Sequence, residues 1–115
     1  MKVKEKYYSN GNLKEREYFF KNGNLKELNT FLPNGKLSSR YFYTINNILK
    51  YVLHYHNDGK TIKTDFLFDD KGFLKSNFNY NKRNILKSRI FFKKGVPDII
   101  EYYNQKGEYE RQEIL

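Results

Sequence analysis

Apolar residues along this chain stand at fixed distances from turn-forming residues. Glycine falls at 11, 23, 35, 59, 72, 95 and 107, and Asn47 and Asn84 fill the two places where a step of twelve would otherwise be doubled. Asparagine is the residue that best replaces glycine in a left-handed backbone. An aromatic precedes each of the nine positions by four residues: Tyr7, Phe19, Phe31, Tyr43, Tyr55, Phe68, Tyr80, Phe91 and Tyr103. Leu13, Leu25, Leu37, Leu49, Leu74 and Leu86 follow six of them by two. Self-similarity at such a period marks a repeat protein.

The first unit, Tyr7 to Leu13, fixes the local geometry. A three-residue loop Ser9-Asn10-Gly11, with glycine in the left-handed position, sets Tyr8 opposite Asn12 and Tyr7 opposite Leu13. The same register sets Phe19 against Leu25, Phe31 against Leu37, Tyr43 against Leu49, Phe68 against Leu74, Tyr80 against Leu86 and Tyr103 against Tyr109. A two-residue loop would instead place Tyr7 against Lys14. Aromatic–aliphatic cross-strand pairs stabilise a sheet by roughly 0.2–1 kcal/mol each, so the hydrophobic pairing selects the three-residue loop.

Strands are expected near 2–8, 12–20, 24–32, 36–44, 48–56, 60–68, 73–81, 85–92, 96–104 and 108–115. Short hairpins throughout make sequential strands antiparallel neighbours. The fold class predicted is all-β: one extended, twisted antiparallel meander of about ten strands, roughly 45 Å across at the usual strand spacing. A closed up-and-down barrel is the alternative. One face is expected to carry the aromatic–Leu pairs, with Tyr41, Tyr51, Leu53 and Phe78 between them. The other is expected to carry Lys14, Lys26, Lys50, Lys75 and Lys87, with Arg16, Arg40 and Arg89, around an apolar patch of Phe42, Ile48, Val52 and Ile62. The lysines should alternate between the two borders of the sheet. The segment 59–72 is one residue longer than the period, which predicts a bulge near Asp65–Phe68, and Pro97 should lack a ladder partner for its nitrogen.

At 115 residues the chain is a single domain, with 11 Tyr, 10 Phe and no Cys or Trp. The lack of cysteine removes disulfides, thiol catalysis and Cys-based metal sites. The net charge of +9 points to an anionic partner, nucleic acid or a membrane surface, although a composition rich in Lys, Asn, Ile, Tyr and Phe is also what an A/T-rich genome encodes. Met1 to Tyr8 are charged and polar with no apolar stretch following, which for a complete chain predicts a cytoplasmic protein.

Tyr7-Tyr8-Ser9-Asn10-Gly11-Asn12-Leu13-Lys14-Glu15 and Phe19-Phe20-Lys21-Asn22-Gly23-Asn24-Leu25-Lys26-Glu27 resemble the MORN-repeat variant, and Leu32-Pro33-Asn34-Gly35-Lys36-Leu37 continues the pattern. Weaker copies run to Asn104-Gln105-Lys106-Gly107. Many bacterial members carry an antitoxin-like label. The resemblance implies an extended β-hairpin array that binds protein, and it transfers no catalytic residue because the motif is structural.

Little else suggests chemistry. His54 and His56 share a strand face, as two metal ligands would, but the expected partners are Ile62 and Lys60, and no third ligand is evident. Asp69 and Asp70 open a turn, an ordinary role for Asp, and Asp65 lies among aromatics, where its pKa should rise. Glu15, Glu17 and Glu27 read as solvent-facing strand charges. No glycine-rich turn leads into a helix to cradle phosphate. The expectation is a non-enzymatic module for protein interaction or scaffolding, without cofactor or metal. It would engage a protein partner, or a second copy through an edge or apolar face. A basic-surface binder of nucleic acid or anionic membrane is the alternative.

Overall fold

The computed structural model describes residues 2–115. Ten strands follow one another: β1 (Val3–Tyr7), β2 (Leu13–Phe19), β3 (Leu25–Phe31), β4 (Leu37–Tyr43), β5 (Leu49–Tyr55), β6 (Ile62–Phe68), β7 (Leu74–Tyr80), β8 (Leu86–Lys93), β9 (Val96–Tyr103) and β10 (Tyr109–Ile114). They form one antiparallel sheet in sequence order, β1 to β10. The sheet is open, so the barrel alternative does not apply. Its dimensions are 45 × 33 × 18 Å.

The turns explain the period. The Tyr8 amide donates to the Asn12 carbonyl (2.8 Å) and the Gly11 amide to the Tyr8 carbonyl (3.0 Å). Gly11 stands at φ 89°, and Asn47 and Asn84 take the same left-handed role at φ 67° and 65°. The side chain of Asn10 accepts the Asn12 amide (2.9 Å), and Asp69 accepts the amides of Lys71 and Phe73 (both 2.9 Å). All seven expected cross-strand pairs are present, from Tyr7–Leu13 to Tyr103–Tyr109.

Two turns depart from the common form. The extra residue of segment 59–72 is absorbed in the turn rather than in a bulge at Asp65–Phe68. His56 donates to the Thr61 carbonyl (2.9 Å), so Lys60 joins the loop. Asp58 steadies this longer loop by accepting the Lys60 amide (2.9 Å), the Thr61 amide (3.0 Å) and the Thr61 hydroxyl (2.7 Å). The short segment 84–95 ends in a tight turn in which Lys93 faces Val96 and both Lys94 (φ 52°) and Gly95 (φ 80°) are left-handed. Pro97 sits beside this turn opposite Phe92.

A second irregularity, not expected from the sequence, recurs in every hairpin. Tyr7 pairs with Leu13, but Lys6 pairs with Glu15, which leaves Lys14 as an extra residue. The same slip leaves out Lys26, Ser38, Lys50, Lys63, Lys75, Lys87, Asp98 and Glu110. Each bulge shifts the strand by one residue, which moves the remainder to the opposite face. The aromatic–Leu pairs therefore alternate between faces instead of sharing one.

Directly paired residues share a face, and the pairing traces rows across the sheet. One face carries the row Glu5, Arg16, Asn29, Arg40, Leu53, Asp65, Phe78, Arg89, Glu101, Gln112, beside Val3, Tyr18, Glu27, Phe42, Tyr51, Leu67, Ser76, Phe91, Ile99, Ile114. We call this the arginine face. The opposite, histidine face carries Lys6, Glu15, Thr30, Ser39, His54, Thr64, Asn79, Ser88, Tyr102, Arg111, beside Lys4, Glu17, Leu28, Tyr41, Val52, Phe66, Asn77, Ile90, Ile100, Glu113. The sheet is one layer thick, so burial is shallow. Among the described apolar side chains only Val52 (4% exposed) and Leu53 (9%) are buried, while Ser39, Asp65, Ser76 and Asn77 are buried polar groups.

Candidate functional site

The basic residues singled out from the sequence do not form one surface. Arg16, Arg40 and Arg89 share the arginine face, but each is paired with a glutamate. Arg16 bonds Glu5 at 2.7 Å, Arg40 bonds Glu27 at 3.0 Å and Arg89 bonds Glu101 at 2.7 Å. Arg89 also lies 5.4 Å from the ring centres of both Phe78 and Tyr103, and Arg40 lies 4.9 Å from that of Phe42. Glu27 is thus a half-buried ion-pair partner rather than a solvated strand charge, and Glu15 and Glu17 are half-buried as well.

The lysines have a different origin. Lys14, Lys26, Lys50, Lys75 and Lys87 are all bulge residues, and all are exposed. They do not alternate as expected: Lys14 and Lys87 lie on one border and Lys26, Lys50 and Lys75 on the other, and they accompany both faces. Lys14 stands over the Tyr8 ring (5.7 Å), whereas Lys50 lines a cleft with Phe42, Tyr51, Leu53 and Leu67 of the arginine face. Lys63 belongs to the same set and was missed. Its signal was present, since it follows Ile62 as Lys14 follows Leu13, but the longer turn displaces it by one from the spacing to glycine.

Two polar clusters occupy the middle of the sheet. On the arginine face Asp65, 8% exposed, accepts hydrogen bonds from the hydroxyls of Tyr51 (3.3 Å) and Tyr80 (3.4 Å). Burial raises the Asp65 pKa against these donors, the direction expected from the sequence. Burial, with the neighbouring carboxylate, pushes Tyr51 up to about 12 and raises Tyr80 too. Asp65 has no cation paired to it among the described residues. On the histidine face Thr64 donates to Asn79 (2.6 Å), Asn79 to Asn77 (3.2 Å) and to Ser88 (3.1 Å), and Thr30 bonds Ser39. His54 packs edge-on against Tyr41 and Phe66. Its pKa is lowered by burial and by the charge of Lys63.

The two histidines face other residues than the sequence implied: His54 pairs with Thr64, and His56 is opposite Thr61. Among the described residues no group of three His, Asp or Glu side chains is placed to hold a metal ion. The arrangement can hydrogen-bond, stack and attract anions.

The structural residues fall where the pattern placed them. Gly11, Gly23, Gly35, Gly59, Gly72, Gly95 and Gly107 all take positive φ. The asparagines of the first units also join neighbouring hairpins. Asn10 and Asn12 both donate to the Pro33 carbonyl (2.9 and 2.7 Å), and Asn22 and Asn24 donate to the Ile45 carbonyl (3.1 and 2.9 Å).

No protein-family model matches the chain, and no curated protein matches it. Solved structures do. TarM of S. aureus, as a G117R mutant in complex with Fondaparinux, alpha-GlcNAc-glycerol and UDP, aligns with 98% of this chain at 16% identity and a TM-score of 0.50. The structure of accessory secretory protein 1,2 and 3 from Streptococcus pneumoniae aligns with 86% at 19% identity and a TM-score of 0.42. The chain spans only 20% and 16% of those two chains. Among the described residues no helix is long and apolar enough to cross a membrane. At this identity the match to TarM shows the shared fold alone, a meander occurring as one part of a longer protein.

Proposed function

We propose that this chain is a non-enzymatic β-repeat module that binds a protein partner or serves as a scaffold. The observation that carries the reading is the uncovered single layer. Phe42, Tyr51 and Leu67 line an open, mostly apolar cleft of about 440 Å³ on the arginine face, and no second layer lies over it. An open, mostly apolar cleft of this size can seat an apolar side chain of a partner. Array folds present long surfaces at low topological cost, and the MORN-variant resemblance of residues 5–37 supports the same reading. The basic-surface alternative loses its three arginines to glutamates, although it retains the bulge lysines.

Capture of partners from native extract at about 0.15 M salt, near physiological ionic strength, tests the proposal when it is paired with Leu67→Asp. A discrete protein retained after nuclease treatment and lost with Leu67→Asp supports it. Recovery of only nucleic acid or vesicles, unaffected by Leu67→Asp and abolished by Lys→Gln at the bulges, overturns it.

A further inference from the structure

One place on the sheet collects cations without acids. A cleft of about 410 Å³ opens on the border between the turns at 57–60 and 81–84. Lys63, Lys82 and Lys87 line it, together with His56, Asn57 and Asn81, and no carboxylate does. None of the three lysines has an ion-pair partner among the described residues. Asp58, next to Asn57 in sequence, is committed to the Lys60 and Thr61 amides and the Thr61 hydroxyl, which hold its pKa down at about 2.

The fold builds this cluster. Lys63 and Lys87 are equivalent bulge residues of the β5–β6 and β7–β8 hairpins, whose turns share one border. The bulge takes each out of the strand's alternation and turns it toward the gap between hairpins, and Lys82 enters from the turn itself. Neutral donors accompany the charges. The Asn81 side-chain oxygen accepts the Arg83 amide (2.8 Å) and the Ile85 amide (3.1 Å), which leaves its NH2 for a ligand. The Nε2 of His56 is enclosed without any hydrogen-bond partner. A second cleft of about 500 Å³ adjoins the first through Asn81 and Lys82, adding Arg83 and Gln105 and again no carboxylate. The comparable cleft on the other border balances Asp69 and Asp70 against Lys71 and Lys94.

We propose that the cleft at Lys63, Lys82 and Lys87 binds the phosphate or sulfate ester group of a small molecule. Three ammonium groups and amide donors around a shallow, open pocket suit a compact oxyanion with two or more charges. The remainder of the ligand would extend toward Arg83. The site is independent of the apolar cleft on the arginine face and of any protein bound there.

Titration of the 15N-labelled chain with pyrophosphate at constant ionic strength tests this, with sulfate as the second probe. Saturable shifts are expected at the amides of residues 56–57, 63, 81–82 and 87. Lys63→Gln with Lys87→Gln should weaken binding at least tenfold while the remaining spectrum stays folded. Lys71→Gln with Lys94→Gln should leave it unchanged. Shifts that grow without saturation, or equal losses from both pairs, would show general attraction to a basic surface and overturn the site. Binding of a single-stranded oligonucleotide or anionic vesicle without binding of pyrophosphate or sulfate would overturn it as well.

Discussion

At the scale of single residues, the turns and the buried acid make opposite demands on the chain. Gly23 and Gly59 both have positive φ, yet a Cβ at Gly23 would meet nothing, whereas one at Gly59 would lie 3.0 Å from the Lys36 Cβ and 3.1 Å from the Leu37 nitrogen. Gly23→Ala should therefore cost only the left-handed strain, about 1 kcal/mol. Gly59→Ala should cost about 2–3 kcal/mol, because a backbone neighbour must also give way. Urea unfolding of the two variants measures the difference, and equal losses would contradict it. Asp65 behaves in the reverse sense. Its folded pKa lies above the ordinary value of 3.8, so the folded chain holds a proton to higher pH than the unfolded chain does. Stability is then greatest below that ordinary value and falls as pH rises through the folded pKa. Asp65→Asn retains an acceptor for a tyrosine hydroxyl without the buried charge. It should be more stable than the parent at pH 7, with the advantage shrinking on acidification and vanishing below the ordinary carboxylate range. Thermal unfolding across pH decides this, and a pH-independent difference would refute it.

At the scale of the element, the unit is a hairpin with two special places, of which only one was legible beforehand. The turn could be read because left-handed backbone demands Gly or Asn, and because the Tyr7–Leu13 type of pair distinguishes a three-residue loop from a two-residue one. The bulge could not be read because Lys14 or Lys87 as an extra residue has no conformational signature, lysine being an ordinary strand-surface residue. One unseen slip per hairpin was enough to misplace the faces: Phe19–Leu25 lies opposite Tyr7–Leu13, and Arg16 shares the face of Tyr7. The Arg16–Glu5 and Arg40–Glu27 pairs were hidden for the same reason, since they depend on the shifted register. The bulge residue should tolerate both substitution and deletion. Lys87→Gln changes an exposed side chain and should alter stability by no more than about 0.5 kcal/mol. Deleting Lys87 removes only the extra residue, so Leu86 still meets Tyr80, Ser88 still meets Asn79, and Arg89 keeps the face on which it bonds Glu101. The deletion should leave the β7–β8–β9 region folded, seen as retained amide protection there in hydrogen exchange, whereas lost protection would show that the twist added by the bulge is required.

At the scale of the whole molecule, the open sheet leaves two edges whose charges differ in sign. β1 and β10 are exposed along their whole length and each pairs on one side only among the described residues. Lys2, Lys4 and Lys6 stand along the first edge, and Glu108, Glu110 and Glu113 along the last. Such charges blunt an edge against its own kind while attracting the opposite edge. Because β1 and β10 run in opposite directions, the β10 edge of one copy meets the β1 edge of another as the next antiparallel strand. Continuing the existing rows would set Glu113 against Lys4 and Ile114 against Val3, with Arg111 against Lys6 as the unfavourable contact. A head-to-tail contact of this kind does not close on itself and would extend rather than stop at a dimer. Sedimentation of residues 1–115 should therefore show mass rising with concentration at about 0.01 M salt, where charges are felt over about 30 Å, and falling toward the monomer near 1 M, where the range is about 3 Å. Lys4→Glu should weaken association, and adding Glu113→Lys should restore it. A monomer at every salt concentration, or association indifferent to these reversals, would show that the edges repel all partners of their own kind.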